Sequence, residues 1–75
     1  MSTKKLVIDW QQLALNLRKH GSLTARSVKM GYCHSYLNQL ARAQIFEPRF
    51  SIGLELLDLH LDLCGQQLTE KLKRG

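Results

Sequence analysis

Aromatic side chains are scarce in this chain, which has one tryptophan, two tyrosines and two phenylalanines among 75 residues. Any core is therefore mostly aliphatic. Cysteine is scarce too. Cys33 and Cys64 cannot supply the dense cross-linking of a small secreted scaffold, and they read as small packing residues with reduced thiols. No run approaches the ~18 apolar residues of a membrane-spanning helix. The apolar patch Leu6–Ile8 is followed by Asp9, Gln11 and Gln12, so it lacks the uninterrupted core of a secretory leader. A soluble, intracellular protein with no membrane partner is expected. Proline occurs once, at Pro48, and nothing is repeated or of low complexity. Acidic residues are few: six, against eleven Lys and Arg, for a formal charge of +5. In a compact domain that balance points to an anionic partner, nucleic acid first.

The chain is also short. A domain of this size buries roughly 60–65% of the surface its unfolded form exposes. It has little room for a pocket of ~300 Å³ or more lined by convergent polar groups. No enzyme activity, small-molecule substrate or cofactor is expected. Four side chains invite a metal reading: Cys33, His34, His60 and Cys64. Adjacent ligands such as Cys33 and His34 rarely reach one tetrahedral ion, and no Cys-x-x-Cys is present, so no metal is expected.

What the sequence does hold is a series of helix punctuation marks. Asp9 with Gln12 three residues on forms a capping-box pattern, and Ile8 with Leu13 a hydrophobic staple. Trp10, Leu13 and Leu17 share a helical face, and Gly21 ends the segment. Residues 1–8, with Lys4 and Lys5, read as a basic arm preceding a domain over 9–75. Ser22 is the N-cap of a second short helix, with Leu23, Ser27 and Met30 at helical spacing up to Gly31. A third runs from Cys33 to Arg42, with Leu37 and Leu40 on its inner side. A loop follows over 44–48, then apolar helices over 49–73.

The segment LDLHLDL, residues 57–63, alternates as a strand would. Leucine is nevertheless a strong helix former and a weak strand former, and no second strand is evident. The segment is read as helix, with Leu54, Leu57 and Leu61 on one side and Leu56, Leu59 and Leu63 on the other. One stripe covers the core. Leu56, Leu59 and Leu63 are assigned to contact with a second copy of the chain about a two-fold axis. A last helix over 66–73 caps the domain with Leu68 and Leu72.

Two short helices meeting at a glycine, the second with a polar outer face, form a helix-turn-helix pattern. The stretch LTARSVKMGYCHSYLNQLAR, within residues 23–43, resembles the helix-turn-helix of the Cro and phage-repressor family. Gly31 stands at the family's turn glycine, and Ser27 where a small residue lets the helices approach. Met30 and Tyr32 flank the turn, and Leu37 and Leu40 match buried positions. Three positions depart: Leu23 replaces a common glutamine, Arg26 a buried aliphatic residue, and Cys33 the usual serine or threonine cap. The resemblance implies an all-α, compact five-helix domain of the lambda-repressor type. It implies a repressor in the cytoplasm of a bacterium or phage-infected host, binding a palindromic double-stranded DNA operator as a homodimer.

Charge placement agrees. Between Arg18 and Arg49 lie six basic residues and one acid, whereas from Glu55 to Asp62 there are three acids and no Lys or Arg. Carried over by the resemblance, His34, Ser35, Asn38 and Gln39 contact base edges. Lys19, Arg26, Lys29, Tyr36, Arg42 and Arg49 contact phosphates. The alternative reading is a small interaction module, or an antitoxin, that binds a protein through the leucine-rich helix.

Overall fold

The computed structural model describes residues 7–45 and 47–74. The fold is all-α, with five helices: α1 (Trp10–Arg18), α2 (Leu23–Lys29), α3 (Tyr36–Ala41), α4 (Phe50–Cys64) and α5 (Gln66–Lys71). Two two-residue strands, β1 (Val7–Ile8) and β2 (Lys73–Arg74), pair antiparallel with Val7 opposite Arg74 and Ile8 opposite Lys73. The Asp9 amide extends this pairing by donating to the Leu72 carbonyl at 2.8 Å. This corrects the reading of 1–8 as a loose arm: residues 7 and 8 are tied to the far end of the chain. Residues 1–6, with Lys4 and Lys5, lie outside the described part.

Local signals place the helix starts. The Asp9 carboxylate accepts from the Gln12 amide at 3.1 Å, which is half of a capping box. The other half is missing because the Asp9 amide donates to the Leu72 carbonyl, while the Gln12 side chain turns forward and donates to Asn16 Oδ1 at 2.9 Å. Ser22 caps α2 by accepting from the Ala25 amide at 3.3 Å. The segment read as alternating is helix throughout, inside α4. A strand there would leave its backbone polar groups without a ladder.

The core lies where α1 crosses α3 and α4, with α2 packed on α3 and α5 on α4. Leu13, Leu17, Leu23, Leu37, Leu40, Leu56 and Leu72 are buried, together with Ala14 and Ala41. Burying each leucine is worth about 1.5–3 kcal/mol relative to exposure. Gly53 permits the close seating of α1 on α4, since a Cβ there would stand 3.1 Å from the Trp10 ring.

One polar chain runs through this interior. Thr69 Oγ1 donates to the Gly65 carbonyl at 2.8 Å, so it is left to accept from His60 Nδ1, also at 2.8 Å. His60 Nε2 then accepts from Asn16 Nδ2 at 3.0 Å, and Asn16 in turn accepts from Gln12. Every donor in the sequence Gln12, Asn16, His60, Thr69, Gly65 meets an acceptor only if the imidazole is neutral and carries its proton on Nδ1. Burial pushes the His60 pKa down, and the nearby His20 charge pushes the same way.

The assignment of Leu56 to a dimer face is corrected by this packing. Leu56 is wholly buried, and Leu59 and Leu63 are half-buried against the core. Gly53, Leu56 and His60 form the inner stripe of α4. The outer face carries Phe50, Leu54 and Leu61, which are 83%, 53% and 44% exposed. At the last helix the pair divides: Leu68 in α5 is exposed, and Leu72, just past its end, is buried.

Candidate nucleic-acid interface

The junction of α2 and α3 is built around Ser27, which is fully buried. Its hydroxyl donates to the Leu23 carbonyl at 2.8 Å and accepts from the Leu37 amide at 3.2 Å. Its carbonyl accepts from the Tyr32 amide at 2.8 Å. Between them Gly31 turns the chain at φ +83°, a left-handed conformation that glycine adopts without a Cβ penalty. Ser35, the residue before α3, makes no side-chain cap of its own. The hydroxyl of Ser27, one helix away, supplies what neither Ser35 nor Cys33 does.

The helix α3 is shorter than its sequence suggests. It starts at Tyr36, so His34 and Ser35 lie in the turn ahead of it rather than in its first turn. His34 is exposed, while Ser35, Asn38 and Gln39 are half-buried. Gln39 Nε2 donates to Ser35 Oγ at 3.2 Å, so these two side chains share one edge. Asn38 behaves differently from the expectation. Its Nδ2 donates to Thr24 Oγ1 at 3.0 Å, clamping α3 to α2. The amide hydrogens that would pair with an adenine are partly committed there, and its carbonyl oxygen remains as an acceptor. The exposed Cys33 thiol lies 3.5 Å from Ser35 Oγ, and that hydroxyl lowers its pKa.

The basic residues surround this unit without forming one cluster. Lys29 is exposed at the end of α2, Arg42 is exposed at the end of α3, and Arg26 is half-buried in α2. A shallow concavity of about 170 Å³ on α2 is lined by Ser22, Ala25, Arg26 and Lys29. Arg49, which precedes α4, lies close enough to Tyr36 for its charge to offset part of the rise that burial gives the Tyr36 pKa. Tyr36 packs on Tyr32 with ring centroids 5.3 Å apart. Lys19 sits at the other end of α4, where its charge acts on Cys64. The fifteen residues of α4 separate the two ends by about 22 Å. Among the described residues the ion pair is Lys73–Glu70, and Lys19, Arg26, Lys29, Arg42 and Arg49 take no part in one.

The four side chains weighed as metal ligands are not gathered. His60 is buried between Asn16 and Thr69, whereas Cys33 and His34 lie on the exposed turn. Among the described residues no group of three or more His, Cys, Asp or Glu could hold a metal ion. No helix among them is long and apolar enough to cross a membrane.

Sequence reasoning missed the double role of Ser27 and the clamp from Asn38 to Thr24. Both join residues ten or more positions apart. A hydroxyl-bearing residue at the position where a small side chain lets the two helices approach was the available signal for the first. Comparison of the chain with protein-family models, curated proteins and solved structures finds no match.

Proposed function

We propose that the chain is a sequence-specific double-stranded DNA-binding regulator of the Cro and phage-repressor type. One observation carries this reading. The turn between α2 and α3 is pinned by Ser27 beside an edge that presents His34, Ser35 and Gln39, with Arg26 and Lys29 on α2 and Arg42 just past the end of α3. A helix held rigidly to its neighbour, with hydrogen-bonding groups outward, is what entry into a major groove requires. In this reading His34, Ser35 and Gln39 meet base edges. Asn38 offers its carbonyl oxygen while holding α3 in place. Arg26 and Lys29 seat a phosphate against the concavity on α2, and Arg42, Arg49 and Tyr36 meet phosphates flanking α3. Lys19, at the far end of α4, contacts phosphate only if the duplex extends or bends that way.

Two copies bind half-sites ~34 Å apart on a palindromic operator, one helical turn of DNA. Occluding polymerase there would make the chain a repressor acting in the cytoplasm of a bacterium or infected host. Selection of bound duplexes from a random pool tests the proposal. An enriched, symmetric motif is expected. Recovery of sequences no different from the starting pool contradicts it.

A further inference from the structure

The face of α4 that the core leaves open has a definite chemistry. An open groove of about 630 Å³ runs between the end of α2 and α4, lined by Met30, Leu59 and Leu61 with Glu55, Asp58 and Asp62. Exposed Leu54 and Phe50 extend its apolar side along α4. The helix carries three of the chain's six acidic residues and neither Lys nor Arg. This is an acidic, apolar surface on a chain of net charge +5.

We infer that this groove docks a cationic amphipathic segment of another protein. Charge and periodicity both select that occupant. At ~100° per residue, Glu55, Asp58 and Asp62 form a band that borders the exposed stripe of Phe50, Leu54 and Leu61 on one side and the half-buried Leu59 on the other. Two copies of α4 packed antiparallel about a two-fold axis would set that acidic flank against its own kind, so a second copy is the wrong sign. DNA and anionic lipid are the wrong sign as well. A segment with leucine- or methionine-like side chains at helical spacing, flanked by Lys or Arg, satisfies both halves of the surface. Its apolar residues cover the exposed Leu54 and Leu61, and its cations meet Asp58 and Asp62. Glu55 has a further connection, because it accepts a hydrogen bond from the Tyr32 hydroxyl in the turn before α3. An occupant competing for Glu55 would therefore act on the turn that positions α3.

The test contains no DNA, so its outcome is independent of the DNA-binding reading. The probe is a fluorescein-labelled helical peptide of Leu and Lys in a 3.6-residue pattern, titrated with the full chain by anisotropy. A Leu and Glu peptide of the same pattern serves as the control. The cationic peptide binds and the anionic one does not. The Asp58→Asn/Asp62→Asn double variant weakens binding about fivefold or more. Leu61→Ser weakens it to a similar extent, whereas Glu70→Gln in α5, which does not line the groove, has no effect. Circular dichroism confirms that each variant is folded. Three results would overturn the inference: equal binding of both peptides, binding unchanged in the double variant, or no binding of the cationic peptide. So would sedimentation showing a dimer that Leu61→Ser dissociates, since a second copy would then be the occupant.

Discussion

The Ser27 hydroxyl in α2 accepts the backbone N–H of Leu37 in α3 at 3.2 Å, and Leu37 itself is fully buried. A helix begins with amide groups that have no partner within the helix. Here the partner comes from the neighbouring helix, so capping α3 and fixing its angle to α2 are one interaction. The position of α3 depends on a buried hydroxyl that never faces solvent.

Ser27→Ala removes that acceptor and leaves a buried amide unsatisfied. The expected loss is about 1–3 kcal/mol of stability, seen in urea denaturation as a lower midpoint with an unchanged slope. A midpoint equal to that of the parent would mean the bond contributes nothing.

Gly31→Ala places a Cβ on a residue at φ +83°, in open space. The cost comes from the backbone rather than from a clash, and amounts to about 1–2 kcal/mol. Gly31→Asn costs less, because asparagine tolerates the left-handed region better. Equal midpoints for the two variants in thermal or urea unfolding would contradict the stated cause.

His60 makes stability depend on pH. Its folded pKa lies below the ordinary histidine value, so the unfolded chain takes up a proton first as pH falls. Stability is then fully present above about pH 6.5 and is lost as pH drops from there through the folded pKa. Protonation would also set an Nε2–H against the Asn16 amide hydrogens. Denaturant midpoints at a series of pH values should fall on the acid side, and His60→Gln should flatten that slope. A parent midpoint that rises as the solution is acidified, over the same range, would show the sign to be wrong.

Much of the architecture was legible because it is local. The Asp9 and Ser22 caps, the inner positions Leu37 and Leu40, and the choice of helix for residues 57–63 each depend on neighbours a few positions apart. Two features were not local. The pairing of Val7–Ile8 with Lys73–Arg74 joins the two ends of the chain, and each strand is too short to leave a periodic trace. The orientation of α4 was ambiguous for a different reason. Its leucines form stripes on opposite sides, and periodicity alone does not say which one faces inward. That was settled by Gly53, which admits the Trp10 ring, and by His60, which finds Asn16 and Thr69 on the inner side. For the candidate interface, residue types marked out an edge around the start of α3, but the clamp from Asn38 to Thr24 depends on how closely two helices approach.

The most direct test of the central claim is the salt dependence of DNA binding, followed by anisotropy on a duplex selected from a random pool. The parent, Gln39→Ala and Lys29→Ala are compared at several salt concentrations. The parent should bind the selected duplex in a steeply salt-dependent manner. Gln39→Ala should lose about 1–3 kcal/mol on that duplex and discriminate less well against others. Lys29→Ala should weaken binding to every duplex and reduce the logarithmic salt slope by about 0.9. Binding that ignores salt, or a Gln39→Ala variant with parental affinity and selectivity, would contradict the assignment of α3 to the major groove.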